Sequence, residues 1–381
     1  MKSILLRMPL VLLLLVLGAC SGQAILPAEP VLTLPSDTPP PSATPTETVL
    51  PTATETPTLT PSETATATAS QTPSLTPIPA VRLSAVGDIL LARTVGDKIL
   101  SQGPQVVFDG VMSALAPADI LVGNLECALT TRGTAEPKFY RFRGPLEGAM
   151  SLSMAGFDVL TLANNHAMDY GAVGLQDTLQ ILNQYSLQVV GAGNDSAAAR
   201  APVLIERNGM RVAFLGYVDV PVENGGFDTR TWIATRNTPG VAWAYPEQIT
   251  ADVTAAKQLA DVVVVLLHSG YELNETIANN QRLEAHTAID AGATLVIGAH
   301  PHILQRVEYY KNGLIAYSLG NFVFDDYEGV VNATVIFNAV LTPAGLQSWD
   351  YTPVLIEDGL PRLTEDRVPP VIGTLIAPFG P

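Results

Sequence analysis

The chain has 381 residues, with 36 acidic against 20 basic side chains for a formal net charge of −16, and only two cysteines. At about 150 residues per domain this length allows two or three domains. Phosphate binding rests on Lys and Arg neutralisation, so nucleic acid is not an expected partner, and two cysteines exclude a disulfide framework or a thiolate metal cluster.

Met1 to Cys20 reads as a secretory signal, with Lys2 and Arg7 as the positive end, Leu10 to Leu17 as the apolar centre and small residues before Cys20. The apolar run from Met8 to Ala19 is 12 residues, short of the roughly 20 needed to cross a bilayer. Leu17-Gly18-Ala19-Cys20 resembles the bacterial lipobox, which implies lipidation of Cys20 and an extracytoplasmic protein anchored by lipid to the bacterial cell membrane. Residues 21–80 then hold 13 Pro, 15 Thr and 6 Ser, 34 of 60 positions, without Lys or Arg. Such a composition cannot bury enough apolar surface to offset its ordering entropy and reads as a disordered linker. Proline gives it an extended reach of about 3.1 Å per residue.

Residues 81–381 are left to fold as one domain, with 18 basic residues (20 less Lys2 and Arg7) against 31 acidic (36 less five in the linker). Short apolar runs alternate with helical patterns, the signature of α/β architecture. The patterns predict strands over Val81–Val86, Ile120–Gly123, Val159–Leu162, Leu187–Val190, Arg211–Tyr217, Val262–Leu267, Thr294–Ile297 and Leu314–Ser318. Helices are predicted over Phe108–Leu115, Leu146–Ala155, Gly171–Gln184, Pro246–Ala260 and Ala278–Ala291. Thr334–Leu341 and Gln347–Ile356 read as further strands, giving two sheets with outer helices.

Six of these strands end on polar, mostly metal-competent residues: Gly87-Asp88, Gly123-Asn124-Leu125-Glu126, Asn164-Asn165-His166, His268-Ser269-Gly270, His300-Pro301-His302 and Leu319-Gly320-Asn321. Ligands of α/β folds bind beyond the carboxyl ends of strands, so these ends can meet in one site. Four of the five histidines, His166, His268, His300 and His302, lie there, and only His286 falls inside a predicted helix. At an i, i+2 spacing in extended chain, His300 and His302 are expected to point to one side. Together with Asp88, Glu126 and Asn165 they form a carboxylate, carboxamide and imidazole set without thiolate, suited to Mn, Fe or Zn. One divalent ion or two neighbouring ions of a hydrolytic centre would fit it.

At these residues the sequence resembles the CapA family of poly-γ-glutamate capsule synthesis proteins, whose fold is that of calcineurin-like metallophosphoesterases. The matching segments are AVGDILLAR (85–93), VGNLECALT (122–130), FYRFRGP (139–145), LANNHAMDYG (162–171), HSGYE (268–272), GAHPHILQ (298–305) and YSLGNFVFD (317–325). The resemblance implies a four-layer α/β/β/α sandwich and a metal centre. It implies Asp88, Asn165, His268, His300 and His302 as ligands and His166 as the catalytic acid. Leu90 stands where the phosphoesterase pattern has a second histidine, and Asn124 where it has a bridging aspartate, a loss that Glu126 can make good. The family usually carries Trp at the position of Ser269, which implies a different pocket wall there.

Around this set, Arg141 and Arg143 read either as a clamp for substrate anions or as salt-bridge partners of the surplus acids. Asp169 either fixes the ring of His166 or is a solvated helix charge. Glu272 either orients His268 and contacts substrate or is a plain surface acid, and Asn124 and Asn321 are further candidate substrate contacts. Cys127 is expected to pack as a small apolar residue. Two functions follow from the resemblance: a metal-dependent hydrolase or transferase of phosphoester or amide bonds, or a non-catalytic scaffold holding an anionic envelope polymer within a capsule synthesis complex. A serine hydrolase is excluded because no Gly-x-Ser-x-Gly elbow occurs.

Overall fold

The computed structural model describes residues 78–223, 225–325 and 329–364. The signal segment, Cys20 and the linker up to residue 77 lie outside the described residues. Among the described residues no helix is long and apolar enough to cross a membrane.

Two sheets form the centre. The first runs Leu360–Leu363, Gly345–Glu357, Ala333–Thr342, Val81–Ile89, Ile120–Leu125, Val159–Thr161, Gln188–Val190, with Asn321–Val323 pairing the end of Val81–Ile89. The second runs Val307–Tyr310, Gly313–Ala316, Leu295–Ala299, Val262–Ser269, Met210–Asp219, Val203–Arg207. In the second sheet, Val262–Leu267 is an unbroken apolar run because both of its faces are covered. Along Val262–Leu267 the period of two divides the run: Val262, Val264 and Leu266 enter the core shared with Leu83, Val122 and Phe214. Val263, Val265 and Leu267 instead meet Ile249, Val253, Ala285 and Ala288 of helices Pro246–Lys257 and Asn279–Asp290. On the far side, Ile89, Leu121 and Leu160 pack with Val95, Leu152, Leu175 and Leu182 of helices Arg93–Gln102, Gly148–Ala155 and Gly171–Gln184. The layers are therefore α/β/β/α.

The expected helix Phe108–Leu115 is a correction: a 3-10 turn at Pro104–Val107 and a four-residue helix at Met112–Leu115 stand there instead. Gly110 between them disfavours helix, and a Cβ at that position would lie 2.7 Å from the Pro361 carbonyl oxygen. The helix Arg93–Gln102 has no counterpart in the expected elements, because Thr94, Val95 and Gly96 weaken the helical signal in its first turn. The edge strands Val203–Arg207 and Val307–Tyr310 escape the apolar pattern because residues such as Glu206, Arg207 and Tyr309 are exposed.

One close approach aims the site. A Cβ on Gly87 would stand 1.8 Å from the Gly320 carbonyl oxygen, so only glycine lets the two chains meet there. The neighbouring Asp88 N–H donates to that carbonyl at 2.9 Å, and Asp88 pairs in register with Asn321.

Candidate metal centre

Both sheets deliver polar side chains to the carboxyl ends of their parallel strands. Asp88 is fully buried and accepts from Asn124 Nδ2 at 2.7 Å and from the His300 N–H at 3.2 Å. His302 Nδ1 lies 3.2 Å from the same Asp88 oxygen that accepts from His300, and 2.8 Å from Asn321 Oδ1. Burial pushes the Asp88 carboxyl up, but the bond and charge of His302 together with His268 and Asn124 outweigh it and hold the group well below the usual carboxylate range.

From the second sheet, His268 Nε2 stands 2.8 Å from Asn165 Oδ1 and 3.7 Å from Glu126 Oε1, and its ring centroid is 4.8 Å from that of His300. Ligand atoms of Asp88, Glu126 and His268 lie within 4.8 Å of one another, as do those of Glu126, His300 and His302. Glu126 is common to both groups. Its two carboxylate oxygens, and Nδ1 of His300, are buried without a hydrogen-bond partner. Burial first, and then the charge of Asp88, push its carboxyl well up. Orphaned acceptors amid imidazoles are what a bound cation would satisfy, so the donor set fits a divalent metal.

His300 and His302 come together by a route different from the one expected. They are not extended chain: the strand ends at Ala299, and both residues are in the left-handed region, at φ 95° and 58°. The bend around Pro301 turns both rings inward, with centroids 5.9 Å apart.

His166 and Asp169 form a second polar group beside the first. Asp169 is buried and its Oδ2 lies 2.8 Å from His166 Nδ1, leaving Nε2 to face Glu126 and Glu223, each 4.0 Å away. Phe142 stacks on the His166 ring at a centroid distance of 4.0 Å. Beneath it sits Lys138, a buried cation absent from the expected site. Its Nζ lies 2.7 Å from Asp169 Oδ1 and donates to Glu223 Oε1 and the Asn165 carbonyl, each at 2.6 Å. Burial pushes the Asp169 carboxyl up to about 7, although Lys138 opposes it. Burial pushes His166 well down, with the charge of Lys138 adding to the effect. Nothing in the sequence around Lys138 distinguishes it from a surface lysine, because its partners come from two segments distant from it, residues 165–169 and the loop at Glu223.

The remaining expected contacts divide. Glu272 and Asn321 line a cavity of about 250 Å³ together with His166 and His302. Asn124 lies beneath Asp88, and both ends of its amide are used: Nδ2 on Asp88 and Oδ1 accepting from Asn164 at 2.9 Å. Arg141 and Arg143 are exposed and do not line the cavity. Arg143 stacks at 3.6 Å on Tyr170 and donates to the Arg132 carbonyl, so it is tied to a neighbouring loop. The intervening Phe142 takes the inward position. Ser269 also faces away from the centre, because residues alternate along Val262–Ser269 and His268 points in; its hydroxyl donates to Glu284. Cys127 is buried and apolar in its packing, and burial pushes its thiol up to about 12.

This is an α/β/β/α protein with an imidazole and carboxylate centre at the strand ends. Residues 82–326 match the family model described as bacterial capsule synthesis protein PGA_cap, and the chain belongs to that family. It is 35% identical over 281 residues to a PGA biosynthesis protein CapA of Bacillus subtilis, covering 73% of this chain and 72% of the relative. It is 34% identical to a capsule biosynthesis protein CapA of Bacillus anthracis, covering 74% of this chain and 68% of the relative. Among solved structures, a phosphatase from Mycoplasma pneumoniae aligns over 73% of this chain and 94% of its own at 10% identity, with a TM-score of 0.46.

Proposed function

We propose that the protein acts in capsule polymer synthesis of the poly-γ-glutamate type as a metal-dependent hydrolase or transferase, lipid-anchored through Cys20 on the outer side of the cell membrane. The observation that carries the reading is Glu126, whose two buried oxygens have no partner while His268, His300 and Asp88 surround them. Asp88, Glu126, Asn165, His268, His300 and His302 would hold one or two divalent ions of the Mn, Fe or Zn kind. Such an ion supplies Lewis acidity to a phosphoester or amide. His166 transfers the proton at Nε2, while Asp169 holds Nδ1 and so fixes tautomer and ring orientation. Lys138 in turn keeps Asp169 in place and neutralises part of the acidic cluster.

A specific departure favours a second reading, a scaffold that binds an anionic polymer within a capsule synthesis complex. Leu90 and Asn124 occupy places where a full dinuclear centre of the phosphoesterase kind has a ligand, and the Asn124 carbonyl oxygen is already bonded to Asn164. Metal analysis of the purified full chain with turnover assays on phosphoesters and amides decides between them. Bound metal with turnover that His166→Ala lowers by about 10² to 10⁴ supports the enzyme. Absent turnover in the wild type, with polymer binding retained, supports the scaffold.

A further inference from the structure

Eight non-glycine residues among those described have positive φ: Arg93, Ser186, Asn208, Leu273, His300, His302, Lys311 and Asp358. Four of them have ordinary explanations. Asn208, Lys311 and Asp358 sit in tight turns between paired antiparallel strands, and Ser186 follows the end of helix Gly171–Gln184. The other four, Arg93, Leu273, His300 and His302, all belong to the metal centre or to the wall of the cavity above it. Backbone strain persists where the surrounding structure imposes it, and its clustering at one cavity marks residues held for a purpose.

For His300 and His302 that purpose is the proposed metal centre; Arg93 needs another. Among the described residues it is the one Lys or Arg lining the cavity. Its guanidinium carbon lies 4.5 Å from the Phe142 ring centroid and 5.6 Å from that of Tyr140. Phe142 in turn stacks on His166, so the cation is one ring away from the proposed proton-transfer group. Its Nη1 is 2.5 Å from Asp325 Oδ2. This pair is partly open to solvent, the two side chains being 34% and 19% exposed. A guanidinium there that already holds one carboxylate can hold another by the same planar contact at little net cost.

We infer that Arg93 is the anion-recognition residue of this site, exchanging Asp325 for a carboxylate of the substrate. Local recognition of this kind is required, because the chain carries a net charge of −16 and Glu272 also borders the cavity. Arg93 therefore takes the role that the sequence suggested for Arg141 and Arg143. The inference rests on the cavity being the substrate site, but it needs no turnover to be tested.

Calorimetric titration of the purified full chain with a γ-linked oligoglutamate and with the matching γ-linked oligomer whose free α-carboxylates are converted to amides provides the test. Wild type should bind the first and not the second. Arg93→Gln should weaken oligoglutamate binding about ten- to a hundredfold, as expected for losing a charge-assisted contact, with metal content unchanged. Arg93→Lys should lose part of that affinity. Asp325→Asn removes the competing carboxylate and should tighten binding, a sign that a merely structural ion pair would not give. Affinity unchanged in Arg93→Gln, affinity lowered in Asp325→Asn, or equal binding of the two oligomers would each overturn the inference. If Arg93→Gln does not fold, the Asp325→Asn result decides alone. Metal content and turnover, measured separately, report on the enzyme reading whichever way the titrations fall.

Discussion

Two glutamates, Glu126 and Glu284, are buried on either side of strand Val262–Ser269, at 0% and 3% exposure, each beside an aspartate, yet they differ in the donors that reach them. Glu284 receives the Ser269 hydroxyl at 2.7 Å and shares a hydrogen bond with Asp219, which itself accepts from Asn280 at 2.8 Å. Burial and then Asp219 push its carboxyl up to about 10, so a proton shared within the pair satisfies both acids. Glu126 also lies against an acid, Asp88, which pushes its carboxyl up, but Asp88 is already bonded to Asn124, the His300 N–H and His302. Among the described residues no donor reaches either Glu126 oxygen, which the imidazoles of His268, His300 and His302 surround. A buried acid whose neighbours can share a proton is complete in itself. One that has no donor, among groups that can ligate metals, has the surroundings that a bound cation would satisfy.

The largest effect that tests this contrast is metal content. His300→Ala and His302→Ala should each lower bound metal by tenfold or more at limiting supply, within the range of about 10 to 100 seen even for partners behind the ligands. His286→Ala should retain it, because that imidazole faces Glu308 at 3.1 Å and stacks on Tyr310 at 3.7 Å, outside the centre. Elemental analysis giving the same content in all three variants would sink the centre as drawn.

Much of this site was legible in the sequence because strand ends converge by a rule of the fold. Asp88, Asn165, His166, His268, His300 and His302 each follow an apolar run, and the shared position makes them one set. The strand Val262–Leu267 was legible for a related reason, as an apolar run bounded by polar residues, and the structure covers both of its faces. What escaped depends on contacts between segments distant in sequence. Lys138 is paired in the interior with Asp169 and Glu223, and Arg93 lines the cavity against Tyr140, Phe142 and Asp325, all distant from it in sequence. Arg141 and Arg143 were attractive for the opposite reason: their charge is visible in the sequence, while the inward turn of Phe142 that sends them outward is not.

A second pair of variants applies the same substitution to both glutamates and should give opposite signs. In metal-free protein, Glu126→Leu removes orphaned acceptors and should stabilise by about 1–3 kcal/mol, while abolishing tight metal binding. Glu284→Leu leaves Ser269 and Asp219 without their partner and should destabilise by about 1–3 kcal/mol. Urea unfolding in chelator reads both. Destabilisation by Glu126→Leu equal to that by Glu284→Leu would show that Glu126 is already satisfied without a cation.

The pH dependence is a smaller effect with a defined sign. The Glu284 carboxyl is raised from 4.5 to about 10 in the folded protein, so between these values the folded state binds a proton that the unfolded state has released. Its contribution to stability is therefore full below pH 4.5 and is lost as pH rises toward 10, at no more than about 1.4 kcal/mol per pH unit for one proton. Glu284→Gln does not titrate, so its stability curve should fall less steeply than wild type across pH 5 to 9. Parallel curves for the two proteins would mean that Glu284 is ionised in the fold.

The smallest expected effect comes from Ser269→Ala, which removes one donor to Glu284 and nothing from the metal centre. Along Val262–Ser269 successive side chains face opposite ways, so His268 reaches Asn165 and Asp88 while Ser269 reaches the helix Asn279–Asp290 behind the sheet. Loss of the hydroxyl should cost about 0.5–1.5 kcal/mol, the usual net worth of one hydrogen bond. Because that bond favours the ionised carboxylate, its loss should also move the Glu284 titration further upward. Metal content should stay at the wild-type level even though the substituted residue adjoins a proposed ligand in sequence. Calorimetric unfolding with elemental analysis of the same sample checks both. A fall in bound metal would mean that the cluster around Glu284 supports His268 through the strand, and that the two glutamates belong to one coupled site.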